Sequence, residues 1–237
     1  MISIIDGKKI AKEIEIELTD KVSSMEVAPK LSVVQIGDDP ASASYIKAKA
    51  NAASRIGINL THHHLSKDTS VKELESLVNN LNKSEDGLII QLPIPKNLEP
   101  VLEMIEPEND VDGFHSENLG KLVQGISGMV PCTPAGIIEL LYRSGNDPSG
   151  KHVVIVGRST IVGTPLSLLL SQKGVDATVT LCHSRTKSLE EHCKKADILV
   201  AAVGKANMIT KDIVKQGAVI IDVGVNRTSE GLVGDVS

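Results

Sequence analysis

Aromatic side chains are almost absent from this sequence: among 237 residues there is no Trp, one Phe (Phe114) and two Tyr (Tyr45 and Tyr142). A tyrosine here draws notice, although composition gives it no role. Cysteine is scarce as well. Cys132, Cys182 and Cys193 are odd in number, scattered and without a C-x-x-C pair, which excludes a disulfide framework and reads as reduced thiols in a cytoplasmic protein. There is no excess of positive charge either. With 30 acidic against 25 basic side chains and a net charge of -5, a general nucleic-acid or membrane surface is excluded, so any anion site must be local. No apolar run near the start escapes charge: MISIIDGKKIAKEIEIELTDK reads as an amphipathic helix, neither a signal peptide nor a membrane span.

What is present is a regular alternation. LSVVQIG (31–37) is a β-rich run ending in glycine, and Asp39-Pro40 supplies an N-cap and a first-turn proline for a helix to about Arg55, stopped by Gly57. INLTHHHL (58–65) reads as the next strand. Ser70-Val71-Lys72-Glu73 is a capping box opening a helix through Leu81, and GLIIQL (87–92) is a buried strand closed by Pro93 and Pro95. A proline- and acid-rich connector runs from Glu99 to Asp112, then a glycine-punctuated stretch to Met129. After a connecting helix at PCTPAGIIELLY, the segments HVVIVG, TPLSLLLSQKG, ATVTLCH, SLEEHCKKA, DILVAAVG, TKDIVKQG and AVIIDVGVN alternate strand and helix four strands deep. Their continuous apolar strands predict an α/β fold with a parallel sheet covered on both faces. The length accommodates one large or two modest domains.

VVIVGRSTIVGTP (153–165) poses the main chemical question, because it joins a strand to a helix through Gly157 and Gly163 yet matches neither common phosphate-binding fingerprint. A helix start after a strand offers unpaired N–H groups to a phosphate; an ordinary strand-to-helix turn favours glycine equally. The next strand separates the readings. It ends in Cys182-His183-Ser184-Arg185, with no carboxylate for a bare ribose 2'-hydroxyl. Together with Arg158 and Ser159, these groups suit a 2'-phosphate and point to NADP.

On the helix after Asp39-Pro40, Tyr45 and Lys49 share a face. Most lysines at this spacing decorate a solvated surface, but one desolvated beside a ring releases its proton more readily and can serve acid–base chemistry. Gln91 places a polar side chain at a strand end, where ligands bind in such sheets. His62-His63-His64 invites a metal reading, but successive strand residues face opposite sides, so the triplet reads as strand surface and no metal is expected. Cys132 reads as a packed thiol and Asp110 as a loop solvator.

Taken in order, GDDPAS-x-x-YIKAK, DGLIIQLPIP, ENDVDGFH, PCTPAG, VVIVGRSTIVGTP, ATVTLCHSRT, ADILVAAVGK and VIIDVGVNR resemble the bifunctional methylenetetrahydrofolate dehydrogenase/cyclohydrolase family over essentially the whole chain. The resemblance implies two domains, a folate-binding catalytic α/β domain over 1–133 and a Rossmann-like parallel-sheet NADP domain over 134–237. It also implies two consecutive reactions in one cleft, oxidation of 5,10-methylenetetrahydrofolate by NADP+ and hydrolysis of the methenyl product. By resemblance, Tyr45 orients the folate, Lys49 handles protons in the hydrolytic step, Gln91 hydrogen-bonds and tunes Lys49, and Asp112 grips the pterin edge. Cofactor contacts are implied for Gly157, Arg158, Ser159, Gly163, Ser184 and the Val225 backbone, and a homodimer built through the cofactor domains. A dehydrogenase without the hydrolytic step and a non-catalytic folate or nucleotide binder are the alternatives. The family pattern continues past Gly234-Asp235-Val236 into a further strand, a P-G-G-V-G-P-M-T loop and a final helix, so more chain is expected after Ser237.

Overall fold

Asp39 and Ser70 start two of the helices as their residue types dictate. In the computed structural model, which describes residues 3–229 and 231–237, the Asp39 carboxylate accepts the Ser42 N–H at 2.7 Å and opens α2 (Pro40–Ile56). Ser70 and Glu73 form a reciprocal capping box at the head of α3 (Val71–Ser84). The opening helix α1 spans Gly7–Ser23; Met1 and Ile2 of the expected helical stretch lie outside the described residues. Arg55 of α2 grips Glu15 of α1 through two bonds of 2.7 Å.

The chain forms two compact units, Met1–Leu119 and Gly120–Ser237. In the first, β1 (Lys30–Ile36) lies between β2 (Asn59–Leu65) and β3 (Gly87–Ile90), all parallel. Alternate residues of β1 and β3 face opposite layers. Val34, Leu88 and Ile90 pack with Leu74 and Val78 of α3, whereas Val33 and Ile89 pack with Ile46 of α2. Leu98 and Val101 complete the first layer from a 3₁₀ helix over Lys96–Met104. The connector expected from Glu99 is therefore helical at its start, and the glycine-punctuated stretch after it holds α4 (Ser116–Gln124).

In the second unit, past the end of α4, comes α5 (Cys132–Arg143). A parallel sheet in the order β5-β4-β6-β7 follows, made of β4 (His152–Val156), β5 (Thr178–Cys182), β6 (Ile198–Ala201) and β7 (Val219–Asp222). Helices α6 (Gly163–Ser171) and α7 (Leu189–Cys193) connect the first three strands in chain order, whereas the expected helix at TKDIVKQG is only a 3₁₀ turn, Lys211–Ile213. The central strands are buried along nearly their whole length; β5 and β7, at the edges, are partly exposed. A hairpin of β8 (Asn226–Thr228) and β9 (Gly231–Val233) closes the described chain's regular structure. Among the described residues no helix is long and apolar enough to cross a membrane.

Candidate functional site

In the first unit, β3 ends at Ile90, so Gln91 stands just past the strand rather than within it, its N–H donating to Val34 O at 2.9 Å. A cis Leu92–Pro93 bond turns the chain there. Gln91 Nε2 donates to Leu92 O at 3.1 Å, which leaves Oε1 to accept from Lys49 Nζ, also at 3.1 Å. Ser42 of α2 donates to the same Leu92 carbonyl at 3.2 Å, tying the helix that carries Lys49 to the turn that carries Gln91. Tyr45 precedes Lys49 by about one turn and is 54% exposed, leaving its ring face open to a ligand.

Asp112 completes this cluster. It lines a cavity of about 120 Å³ with Leu88, Ile90, Leu92, Phe114 and His115. Burial pushes its carboxyl above the ordinary range, the Lys49 ammonium pulls it back, and the Asp110 charge adds to the rise. Its carboxylate accepts no hydrogen bond among the described residues.

Asp110 is the opposite of the loop solvator expected from sequence. It is 4% exposed, and its carboxylate accepts from Gly113 N at 3.1 Å, His115 N at 2.8 Å and Asn118 Nδ2 at 3.0 Å. Three donors from three, five and eight residues downstream fold the chain around this one side chain, which fixes the turn carrying Asp112. A spacing of D-x-D-G, with Asn further on, was the available signal. Cys132 also departs from expectation: it is exposed, because it stands in the first turn of α5, while Pro131 and Pro134 are buried. The histidines remain strand surface. His62 and His64 stack on one face with ring centroids 5.9 Å apart, and His63 reaches Ser32 Oγ at 3.1 Å on the other. Among the described residues no group of three or more His, Cys, Asp or Glu could hold a metal.

In the second unit the two glycines of the loop 157–163 are required by packing. Gly157 has φ 122° and a Cβ there would collide with the Ala202 carbonyl; a Cβ at Gly163 would collide with the carbonyl oxygen of Gly157. The start of α6 thus lies directly on the end of β4, backbone against backbone. Gly157 N donates to Cys182 O at 2.9 Å, joining the tips of β4 and β5. Beyond β5, His183 N donates to Thr186 Oγ1 at 2.8 Å and Arg185 N to His183 Nδ1 at 3.1 Å, leaving Ser184 and Arg185 exposed at the head of a tight turn. Arg158 is exposed as well, and neither arginine meets a carboxylate among the described residues.

Ser159 behaves differently from Arg158. Its Oγ accepts from Val162 N at 3.2 Å and Gly163 N at 3.4 Å, so its oxygen braces the loop. The backbone N–H groups of residues 158–161 donate to nothing among the described residues, whereas Thr164 N is bonded to Ser159 O. A loop with open N–H groups, tight glycine packing and two exposed guanidinium groups fits a dinucleotide phosphate. Val225 is 62% exposed beyond the end of β7.

The chain is similar to proteins of one known family. Residues 5–112 match the tetrahydrofolate dehydrogenase/cyclohydrolase catalytic domain, and residues 131–237 the NAD(P)-binding domain of the same family. The chain is 50% identical over 242 residues to the bifunctional protein FolD of Bacillus pumilus, covering 99% of this chain and 85% of the relative. The Campylobacter jejuni FolD structure, a methylenetetrahydrofolate dehydrogenase/cyclohydrolase, superposes with a TM-score of 0.95 at 39% identity, covering 100% of this chain and 86% of the other. The Trypanosoma brucei FolD structure, complexed with NADP and an inhibitor, gives 0.91 at 34% identity over 99% and 85% of the two chains. The chain, from its Lys49–Gln91 pair to its glycine-packed loop, belongs to the tetrahydrofolate dehydrogenase/cyclohydrolase family.

Proposed function

We propose that this chain oxidises 5,10-methylenetetrahydrofolate with NADP+ to the 5,10-methenyl cation, and then hydrolyses that cation to 10-formyltetrahydrofolate. The observation that carries the reading is the Lys49–Gln91 hydrogen bond of 3.1 Å beside the unpartnered carboxylate of Asp112. Asp112 is built to accept two N–H groups from an amino-pyrimidinone edge, a directional contact suited to the pterin. Tyr45 offers a ring face to the folate. NADP+, when bound, accepts the hydride. The protein's part in that step is to orient the substrate and exclude water, since the folate nitrogen lone pair drives the transfer and no acid or base is required.

Hydrolysis does require proton handling. Water adds to the bridging carbon and loses a proton; the resulting hydroxyl loses its second proton as the formyl C=O forms, the bond from that carbon to N5 breaks and N5 gains a proton, so one proton is released overall. Lys49 is the group placed to move these protons, and Gln91, its own amide fixed by Leu92 O, holds the lysine in position. In the cofactor unit, Gly157 and Gly163 allow the close packing, Arg158, Ser184 and Arg185 face the 2'-phosphate, Ser159 braces the loop, and the Val225 backbone contacts the dinucleotide. The proposed division of labour is 1–133 for folate and 134–237 for NADP.

A homodimer in the cytoplasm completes the reading; the thiols, with no disulfide linking them, support a reducing compartment. The purified chain is expected to form NADPH when given methylenetetrahydrofolate, and to bleach the methenyl chromophore with no cofactor added. Reduction without hydrolysis would leave a dehydrogenase alone, and neither activity would reduce the protein to a binder.

A further inference from the structure

Asp235 is the most completely enclosed carboxylate among the described residues, at 0% exposed. Its Oδ2 accepts from Val203 N at 2.7 Å and Gly204 N at 3.0 Å, and its Oδ1 from Lys205 N at 2.7 Å and Asn226 Nδ2 at 2.9 Å. Three consecutive backbone N–H groups after β6 therefore converge on one side chain, in the manner of an anion nest occupied by the protein's own carboxylate.

The anchor is itself anchored. Asp222, the last residue of β7, accepts from Asp235 N at 2.9 Å and Val236 N at 3.1 Å, and from Gly224 N at 3.0 Å. Gly224 has no room for a side chain, because a Cβ there would run into the Asp235 carboxylate. Val225 stands between Gly224, pressed on Asp235, and Asn226, bonded to it. Ala202, whose carbonyl abuts Gly157, immediately precedes the three gripped amides. One buried side chain thus holds the segments after β6 and β7 at the C-terminal edge of the sheet, where a dinucleotide binds in folds of this kind.

We infer that Asp235 is a positioning residue for the cofactor, acting through the 203–205 loop and the turn that presents Val225. This rests on the proposed NADP reading of the second unit. Asp235 touches no substrate. Its effect is to keep these two backbone segments in a fixed register before the cofactor arrives, so that binding does not have to order them.

The bifunctional chemistry supplies an internal control, because hydrolysis of the methenyl cation uses no cofactor. Asp235→Asn keeps the shape, but its amide nitrogen faces two of the four donors. The NADP+ Kd by titration, and its KM, are expected to rise about tenfold while the cyclohydrolase rate stays within about twofold. Asn226→Ala removes one donor and is expected to raise the NADP+ Kd about threefold. An unmoved Kd in Asp235→Asn overturns the inference, as does cyclohydrolase activity that falls in step with NADP+ binding. Where Asp235→Asn fails to fold, Asn226→Ala decides, and an unmoved Kd there overturns it equally. Failure of the unaltered chain to catalyse either reaction would count against the proposed function, while NADP+ titration of the variants would still read the positioning.

Discussion

Asp112 and Asp235 are both carboxylates withdrawn from water, one in each unit, and they differ in what surrounds them. Four N–H donors meet Asp235. Burial alone would raise its carboxyl, but the bonds from Asn226 and from the backbone of residues 203–205 outweigh that and hold it below the ordinary range. Asp112 meets no donor among the described residues, and burial dominates, so its carboxyl is raised. The difference separates architecture from recognition. A buried acceptor whose partners come from its own chain fixes the fold, whereas a half-buried one that meets no donor among the described residues is open to a ligand. The same division sorts the other polar groups: Asp110 and the Ser159 oxygen are engaged internally, whereas Arg158 and the Tyr45 ring face are open.

Altering a group placed to meet substrate or cofactor is expected to remove function with little loss of stability, and altering one engaged only by its own chain to cost stability first. The largest effect belongs to Lys49→Met, which is expected to lower cyclohydrolase turnover about a thousandfold with folate binding retained. Unchanged hydrolysis would remove Lys49 from its role. Arg158→Asp is expected to shift the ratio of kcat/KM for NADP+ over NAD+ toward NAD+ by about a hundredfold, since a carboxylate then repels the 2'-phosphate and accepts from a bare hydroxyl. An unaltered ratio would sink the 2'-phosphate assignment. Asp112→Asn should raise the folate KM about thirtyfold in both reactions, through loss of a charged bidentate acceptor. Its melting temperature should not fall, and a clear drop would place Asp112 with the architectural carboxylates. Asp110→Asn carries a smaller functional effect but destabilises by about 1–3 kcal/mol, because an amide nitrogen replaces an acceptor facing a buried donor; denaturant unfolding measures it.

The smallest expected effect is in pH dependence, where the two carboxylates have opposite signs. The folded-state value of Asp112 lies above its ordinary 3.8, so its charge costs stability above the folded value, and the cost vanishes as pH falls below 3.8. Asp235 lies below 3.8, so it contributes stability above that pH, which is lost as pH falls through its folded value. The folate KM should therefore rise on acidification before the fold fails. With the Asp110 charge removed, the acid limb of that KM profile should move to lower pH; a profile that does not move would remove Asp110 as a cause of the rise at Asp112.

Local signals made much of this legible in the sequence. Asp39-Pro40 and Ser70 through Glu73 cap helices through contacts three residues away, and the apolar runs of β4 and β6 announce a covered parallel sheet. The Lys49–Gln91 pair, 42 residues apart, was accessible only through family resemblance. What remained hidden depends on partners that no short window contains. Asp235 takes its meaning from amides about 30 residues earlier. The helix over Lys96–Met104 and its C-cap carry Leu98, Val101, Leu102 and Ile105 at helical spacing, but Pro100 in its interior reads in sequence as a breaker. The exposure of Cys132 is set by which way the first turn of α5 faces, which no short window shows.

The clasp between Asp222 and Asp235 has a dynamic consequence. The amides of residues 203–205, of Gly224 and of residues 235–236 all end on two neighbouring carboxylates, so none can be released without loosening the rest. These segments should fluctuate as one cooperative patch, their amide hydrogens exchanging with solvent at a shared opening free energy rather than fraying one by one.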